Sequence, residues 1–490
     1  MNLSKILLGI EGIKAKGEID REVTTIENDS RKVTEGSMFF AIKGFSTDGT
    51  QYIETAIEKG AKVILVDETF DVKSIKLPND VTLVMVPDAR YAMAICACNF
   101  YDNPSKKLKL IGVTGTKGKT TTTYMMKEML QKQGHKTGLI GTIAVYSGDR
   151  KIEDSDRTTP ESIKLQKLLA EMVDDGCEIA VMEVSSQSLK LHRVAGCEFY
   201  IGLFTNFSED HISPKEHPDM EDYFNSKLEL MKMCRYGFVN ADDLQVSRVP
   251  KLLPDKDIKT YGIDNRCDLL AKDITITNSY VDFKVKIGDR NERVKVGIPG
   301  RFSVYNSLAA ISVAMKMDCD AEKIKESLLD VKVPGRSELV DNSKELTIMI
   351  DYAHSPESLD NILQAVKSYT RGRVISVFGC GGDRDSAKRP KMGEISGKIA
   401  DFTIITSDNP RTENPDKIVE QIEEGIKKTK GKYVCIVDRI EAIKYAIKMA
   451  NKRDLILLAG KGHEPYQEIN GVKYPFDERI IVNQIIKGEI

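Results

Sequence analysis

Short apolar runs punctuate the chain, each bounded by polar or glycine-bearing turns and separated from the next by longer mixed stretches. Residues 37–42 and 61–66 predict strands in a first segment that alternates short strands with helices. The run Lys-Leu-Ile-Gly-Val-Thr at 109–114 predicts another strand, followed by a glycine-rich turn and a helix through Tyr124 and Leu130 that stops near Gly134. Residues 178–184 and 200–205 are apolar without alternation, the pattern of strands covered on both faces. Residues 269–296 alternate apolar and polar positions instead, as antiparallel strands do. Four more runs, at 346–350, 374–378, 402–406 and 454–459, are separated by helical stretches, which predicts a parallel sheet with helical crossovers. The polar, proline-broken stretch 102–107 reads as a linker, and Val-Pro-Gly-Arg at 333–336 marks a second boundary. The expected fold is α/β in three domains, 1–107, 108–333 and 334–490.

Composition agrees with that division. A chain of 490 residues fits about three domains of ordinary size. Its 72 basic and 74 acidic residues nearly cancel, so no polyanion-binding surface and no nucleic-acid partner are expected. The nine cysteines show no paired metal-type spacing and suit a reducing, cytoplasmic setting. The apolar run at 5–10 is too short for a signal segment or a membrane span, so no membrane insertion is expected.

The candidate chemistry begins with Thr-Gly-Thr-Lys-Gly-Lys-Thr at 114–120, between a strand and a helix. Glycines there free backbone N–H groups to face an anion, and the helix N-terminus adds partial positive charge. Lys119 can reach the outer phosphates of a nucleotide, and the Thr120 hydroxyl can hold magnesium. The general nucleotide loop has glycine where this chain has Val113. Glu183 ends a buried strand, where open parallel sheets place ligands; it is either a second magnesium ligand or a surface carboxylate. Asp210 and His211 follow the next strand to the same edge, and Lys227, by position alone, reads as a solvated helix lysine. Farther on, four charged loops end four predicted strands: Asp351 to His354, Gly379 to Asp385, Ser407 to Arg411, and Gly460 to Glu464. Their convergence predicts one cleft. Arg384 and Arg411 suit a carboxylate, and Asp408 and Glu464 suit an ammonium, so the cleft is expected to read an amino acid.

Together these residues resemble the Mur ligases, ATP-dependent enzymes that build the peptide of bacterial cell-wall precursors. The likeness spans the chain and is carried by 114–120, Met-Glu-Val-Ser-Ser at 182–186, Thr205-Asn206 with Asp210-His211, Tyr305 to Ala310, Pro-Gly-Arg-Ser-Glu at 334–338 and Asp-Tyr-Ala-His at 351–354. Asn-Asp-Ser-Arg at 28–31, Arg-Thr-Thr-Pro at 157–160, Leu191-His192-Arg193 and Gly-Lys-Gly-His-Glu at 460–464 are most similar to the branch that adds the third residue. The resemblance implies an N-terminal α/β domain for a UDP precursor, a central P-loop ATPase-type domain with a mainly parallel sheet, and a C-terminal Rossmann-like domain for the amino acid. It implies ATP and Mg2+ as cofactors, UDP-N-acetylmuramoyl-L-alanyl-D-glutamate and meso-diaminopimelate or L-lysine as substrates, and a monomer.

Residue by residue, the resemblance assigns ATP to Thr114, Gly115, Thr116, Lys117, Gly118, Lys119, Thr120, Asn306, Arg336 and Asp351. Lys119, His211 and Lys227 would be catalytic, with Thr120, Glu183, His211 and a carbamylated Lys227 around the metal. Ser30, Thr158, Thr159, Ser185 and Arg193 would hold the precursor, and Arg384, Asp408, Asn409, Pro410, Arg411, Gly460 and Glu464 the amino acid. Lys117 and Ser303 stand where asparagine is commoner in the family. The loop Asp408-Asn409-Pro410-Arg411 is the version associated with diaminopimelate, whereas residues 210–218 resemble some lysine-adding relatives. The distal carboxylate of diaminopimelate decides the expectation, because a buried Arg411 left unpaired would be costly. A folylpolyglutamate-synthetase-like ligase and a non-catalytic precursor-binding paralogue are the alternatives.

Overall fold

The structure, a computed structural model, describes residues 1–44, 47–210, 212–213 and 216–490. The chain divides into two compact units, Met1–Leu269 with Ala309–Cys319, and Leu270–Leu308 with Asp320–Ile490. Among the described residues the fold is α/β with mostly parallel sheets, and no helix is long and apolar enough to cross a membrane.

The first unit holds two sheets. A five-stranded sheet orders Lys14–Lys16, Thr82–Val86, Val63–Asp67, Met38–Phe40 and Ile26–Glu27, parallel except for Lys14–Lys16 at one edge. Strand alternation divides its side chains between two cores: Val63, Leu65 and Val84 face one, Ile64, Val66 and Leu83 the other. The stretch read as a linker is more ordered than its polarity suggests. Pro104–Lys106 forms a 3-10 turn with Pro104 and Ser105 buried, and the Ser105 hydroxyl accepts a hydrogen bond from Glu198 N at 3.1 Å.

The second sheet of this unit has nine strands. At its centre Lys109–Thr114 lies between Ile179–Glu183 and Phe199–Phe204, all parallel. Both flanking runs are buried on both faces, as their unbroken apolar patterns predict, because helices such as Lys119–Lys132, Ser162–Asp174 and Met220–Met233 cover the sheet. Parallel strands bring their C-terminal ends to one edge, and there the turns after Thr114, Glu183 and Phe204 meet.

In the second unit, Lys272–Ile276, Val281–Ile287 and Arg290–Val296 form an antiparallel sheet, as the alternation at 269–296 predicts. A six-stranded sheet follows, ordered Glu338–Leu339, Thr347–Asp351, Leu455–Ala459, Val374–Phe378, Phe402–Ile405 and Tyr433–Cys435. All but the first pair run parallel. Val374 and Phe378 pack under the helices Pro356–Tyr369, Lys388–Ile399 and Pro415–Ile426, while Ile375 and Val377 pack under Arg439–Met449 and Glu478–Lys487. Each of these buried apolar side chains contributes about 1.5–3 kcal/mol, so the sheet is a rigid base for the loops at its ends.

Candidate functional site

In the first unit, the phosphate loop starts later than the general pattern requires. Val113 is still strand, fully buried, in register with Glu183 and Leu203. A side chain therefore fits where other nucleotide loops have already turned. At Gly115, φ is +143° and a Cβ would lie 2.0 Å from Thr205 Oγ1, so only glycine fits. Gly118, at φ +84°, caps the helix Lys119–Lys132. The Thr205 hydroxyl donates to Lys117 O at 2.8 Å, and Asn206 Nδ2 donates to the same carbonyl at 2.9 Å. Asn206 Oδ1 in turn accepts from Lys117 N at 2.8 Å, and Lys117 Nζ pairs with Asp210 at 3.1 Å. The cradle is thus shaped by its neighbour strand as much as by its own glycines.

Two lysines converge on one carbonyl. Lys119 Nζ donates to Gly115 O at 2.7 Å and to Thr116 O at 3.0 Å, and Lys227 Nζ donates to Gly115 O at 2.9 Å. Lys227 is not a solvated helix lysine: only 1% exposed, it lies 4.5 Å from the Tyr223 ring centre on the buried face of Met220–Met233. Burial, and then the charge of Lys119, hold its ammonium well below the ordinary lysine range. The neutral amine this favours has an unshared electron pair and is a nucleophile.

Glu183, 1% exposed, accepts the Thr120 hydroxyl at 3.1 Å and the Thr142 hydroxyl at 3.0 Å on Oε2, and Thr142 N at 2.8 Å on Oε1. It is a buried, oriented carboxylate rather than a surface one. Thr142 escaped sequence reasoning, although it follows the strand Thr137–Ile140 at the same sheet edge as Glu183. Its hydroxyl lies 3.1 Å from that of Thr158. Thr159 Oγ1 donates to Glu183 O at 2.9 Å and accepts from Ser185 N at 3.0 Å, while Arg193 pairs with Glu161 at 2.9 Å and donates to Thr159 O at 3.4 Å. Thr158, Thr159, Ser185 and Arg193 therefore adjoin Glu183 and Thr120. Ser30 is buried in the loop after Ile26–Glu27 in the five-stranded sheet. His211 lies outside the described residues, among which no cluster of three or more His, Cys, Asp or Glu is placed to hold a metal. The adjacent Thr120 and Glu183 oxygens are hard donors that fit a magnesium ion sharing its remaining positions with phosphate and water.

In the second unit the four strand-end loops converge, because Thr347–Asp351, Leu455–Ala459, Val374–Phe378 and Phe402–Ile405 are adjacent and parallel. Asn409 is held on both sides: Nδ2 donates to Glu464 at 2.8 Å, and Oδ1 accepts from Lys461 Nζ at 3.0 Å and from Glu468 N at 2.9 Å. Burial, followed by the charge of Asp408, raises the Glu464 carboxyl above its usual range, and burial lowers Lys461. At Gly460, φ is +113° and a Cβ would lie 2.5 Å from Asp408 Oδ2. Pro410 O lies so close to Gly382 that a side chain there would collide with it. Arg384 is exposed on the 379–385 loop, its Cγ 3.9 Å from the position a Cβ on Gly381 would take.

Arg411 corrects one expectation. It is not left unpaired without a substrate carboxylate: Nε lies 3.2 Å from Glu468 Oε2, and Nη1 donates to Gly382 O at 2.7 Å. Behind these loops are two buried arginines that no motif marked. Arg439 Nε pairs with Glu478 at 2.8 Å, and its remaining nitrogens donate to Ser407 O and Ala459 O at 3.2 and 3.0 Å. Arg389 grips Glu413 through two bonds of 2.9 Å and donates to Gly381 O at 3.2 Å. In the same unit Arg336 stacks 5.0 Å from the Tyr352 ring centre. Asp351 accepts from Ser337 N at 2.8 Å and from Ala353 N at 3.0 Å, and burial raises its carboxyl. Asn306 is buried on the helix Arg301–Lys316.

Known proteins match this arrangement along the whole chain. Residues 22–101 match the catalytic domain of the Mur ligase family, 113–314 the Mur ligase middle domain and 335–462 the Mur ligase glutamate ligase domain. A relative from Caldanaerobacter subterraneus subsp. tengcongensis, named UDP-N-acetylmuramoyl-L-alanyl-D-glutamate--2,6-diaminopimelate ligase, is 49% identical over 99% of each chain. The chain belongs to the Mur ligase family. A Clostridium acetobutylicum protein of the same name, numbered 1, is 47% identical to this Mur ligase over 99% of each chain. A solved structure of a ligase with that name superposes with a TM-score of 0.73 at 29% identity, covering 100% of this Mur ligase and 99% of the other chain.

Proposed function

We propose that this protein is an ATP-dependent amide ligase that adds meso-diaminopimelate to UDP-N-acetylmuramoyl-L-alanyl-D-glutamate. One observation carries the reading: Arg411, Asn409 and Glu464 meet at the ends of adjacent parallel strands, presenting both signs of charge in one cleft. The full-length likeness to ligases named for that reaction supports it. So does a phosphate loop whose Lys119 and Thr120 adjoin a buried carboxylate. The roles divide as the sequence suggests: 1–107 for the UDP end of the precursor, 108–333 for ATP and 334–490 for the amino acid.

In the reaction, a precursor carboxylate oxygen attacks the ATP γ-phosphorus, the bond to the ADP oxygen breaks, and an acyl phosphate forms. The amine of the amino acid then attacks the acyl carbon, loses its proton, and phosphate leaves with the electron pair of the broken C–O bond. Lys119 exchanges the carbonyls of Gly115 and Thr116 for phosphate oxygens and neutralises their charge. Thr120, Glu183 and Lys227 as its carbamate, with His211, would hold magnesium, which supplies charge neutralisation on the phosphates. The neutral amine favoured at Lys227 is the form that adds carbon dioxide. Thr158, Thr159, Ser185 and Arg193 bring the precursor toward the same sheet edge.

Phosphate release from ATP with the UDP-muramoyl dipeptide, comparing diaminopimelate, lysine and ornithine, tests the reading. Release is expected with diaminopimelate and to depend on all three substrates. Equal rates with lysine would remove the diaminopimelate assignment, and release without an amino acid would remove the ligase reading.

A further inference from the structure

Glu468 was marked by no motif, yet its strand binds the 408–411 loop at several points. The strand Tyr466–Ile469 pairs with Val472–Pro475 in a hairpin. Glu468 N donates to Asn409 Oδ1 at 2.9 Å, and Arg411 N donates to Glu468 O at 3.0 Å. Asn470 N donates to Arg411 O at 2.8 Å, and Gln467 Nε2 donates to Asp408 O at 2.7 Å. Arg411 itself sits at φ +51°, a left-handed conformation uncommon for a residue with a side chain. The hairpin holds the loop in that conformation.

The side chain of Glu468 adds something the backbone bonds do not. Its Oε2 meets Arg411 at Nε only, at 3.2 Å, while Gly382 O takes Nη1 at 2.7 Å. A planar guanidinium held at those two points is restrained from turning. With the Nε hydrogen on Glu468 and one Nη1 hydrogen on Gly382 O, the second Nη1 hydrogen and those of Nη2 are left. The Nη1–Nη2 edge is one that can bind a carboxylate by two parallel bonds. Gly381 makes room for this pose, since a Cβ there would lie 2.9 Å from Arg411 Nη1. We propose that Glu468 is a specificity-setting positioning residue. Its carboxylate fixes the Arg411 guanidinium so that the open edge faces the distal carboxylate of the incoming amino acid. The inference deepens the proposed function and rests on its assignment of diaminopimelate to this cleft.

Because Glu468 already compensates Arg411, an amino acid without a distal carboxylate does not strand a bare charge. Discrimination then comes from the two parallel hydrogen bonds that diaminopimelate alone can accept, and it depends on the orientation of the fork.

The test compares steady-state kinetics of wild type, Glu468→Ala and Glu468→Gln, after wild type has been shown to use diaminopimelate. If wild type fails that first assay, the functional reading falls and the role of Glu468 is not what failed. Glu468→Ala should raise KM for diaminopimelate by about tenfold or more, with kcat and the KM values for ATP and the UDP-muramoyl dipeptide within about threefold. The KM for lysine should stay within about threefold of wild type, because lysine has no carboxylate to pair with the fork. Glu468→Gln keeps an acceptor for Nε and should recover most of the affinity, within about threefold of wild type. An unchanged KM for diaminopimelate in Glu468→Ala would overturn the proposal. So would a parallel rise in all three substrate KM values with a lowered Tm, or a Gln variant no better than Ala.

Discussion

The phosphate loop and the amino-acid cleft both sit at the C-terminal ends of parallel strands, but they are built in different ways. The loop is one contiguous stretch, 114–120, shaped by backbone conformation at Gly115 and Gly118 and by Thr205 and Asn206, which hold the backbone of Lys117. The cleft is assembled from four loops spread over more than a hundred residues, held by side-chain pairs: Arg389 with Glu413, Arg411 with Glu468 and Arg439 with Glu478. A site that binds phosphates can use main-chain N–H groups, which any sequence with the right glycines supplies. A site that must tell one amino acid from another needs charged side chains at set angles, and those need partners of their own.

If the cleft depends on buried pairs, breaking one should damage it most. Arg439→Ala leaves Glu478 buried and unpaired and should lower the unfolding free energy by about 3–5 kcal/mol, measured by urea denaturation. A loss below about 1 kcal/mol, the size of a surface pair, would remove the pair from the cleft's support.

The loop should tolerate side-chain loss structurally but not chemically. Lys119→Ala should reduce the rate of phosphate release by about 10²–10³-fold while leaving Tm near wild type. A large fall in Tm would show that the loop, too, is held together by its side chains.

Between these lies Arg411→Ala. It should cut kcat/KM for diaminopimelate by about ten- to a hundredfold and leave that for lysine nearly unchanged. Equal losses with both amino acids would make Arg411 part of the frame rather than of the recognition.

The smallest expected effect is a pH dependence confined to the first unit. His217 is fully buried, with Nδ1 2.6 Å from Asp222 and Nε2 2.9 Å from the Ser186 hydroxyl. Burial outweighs the attraction of Asp222 and, with the charge of Lys190 adding to it, holds the imidazole below its ordinary value. The unfolded chain then binds the proton more readily, so stability falls as pH drops below about 6.5. Thermal melts of wild type and His217→Gln between pH 5 and 7.5 should show a shallower acid-side decline in the variant; identical slopes would refute the assignment.

Much of the fold was legible because strands buried on both faces are mostly apolar. The runs at 178–184, 374–378 and 454–459 follow that pattern, with polar residues mainly at their ends and Ser376 the interior exception. The phosphate loop was legible for a similar reason: its demands are local, a glycine at each left-handed or crowded position. Even the departure at Val113 follows from where the strand ends. Lys227 was misread by position because a lysine four residues after Tyr223 looks the same whether its helix face meets water or the underside of the phosphate loop. Thr142, Arg439 and Glu468 left no motif, since their partners are 41, 39 and 57 residues away in the chain.

By itself, then, the sequence determined the order of elements, the phosphate cradle and the four strand-end loops, each a matter of near-neighbour sterics and apolar periodicity. Tertiary structure alone decided that Lys227 is buried beside Lys119, that Glu183 is clasped by Thr120 and Thr142, and that Arg411 already has a carboxylate of its own. Those outcomes depend on which distant groups share a low-dielectric pocket. Burial and pairing energies are set there by three-dimensional neighbours, whatever the spacing along the chain.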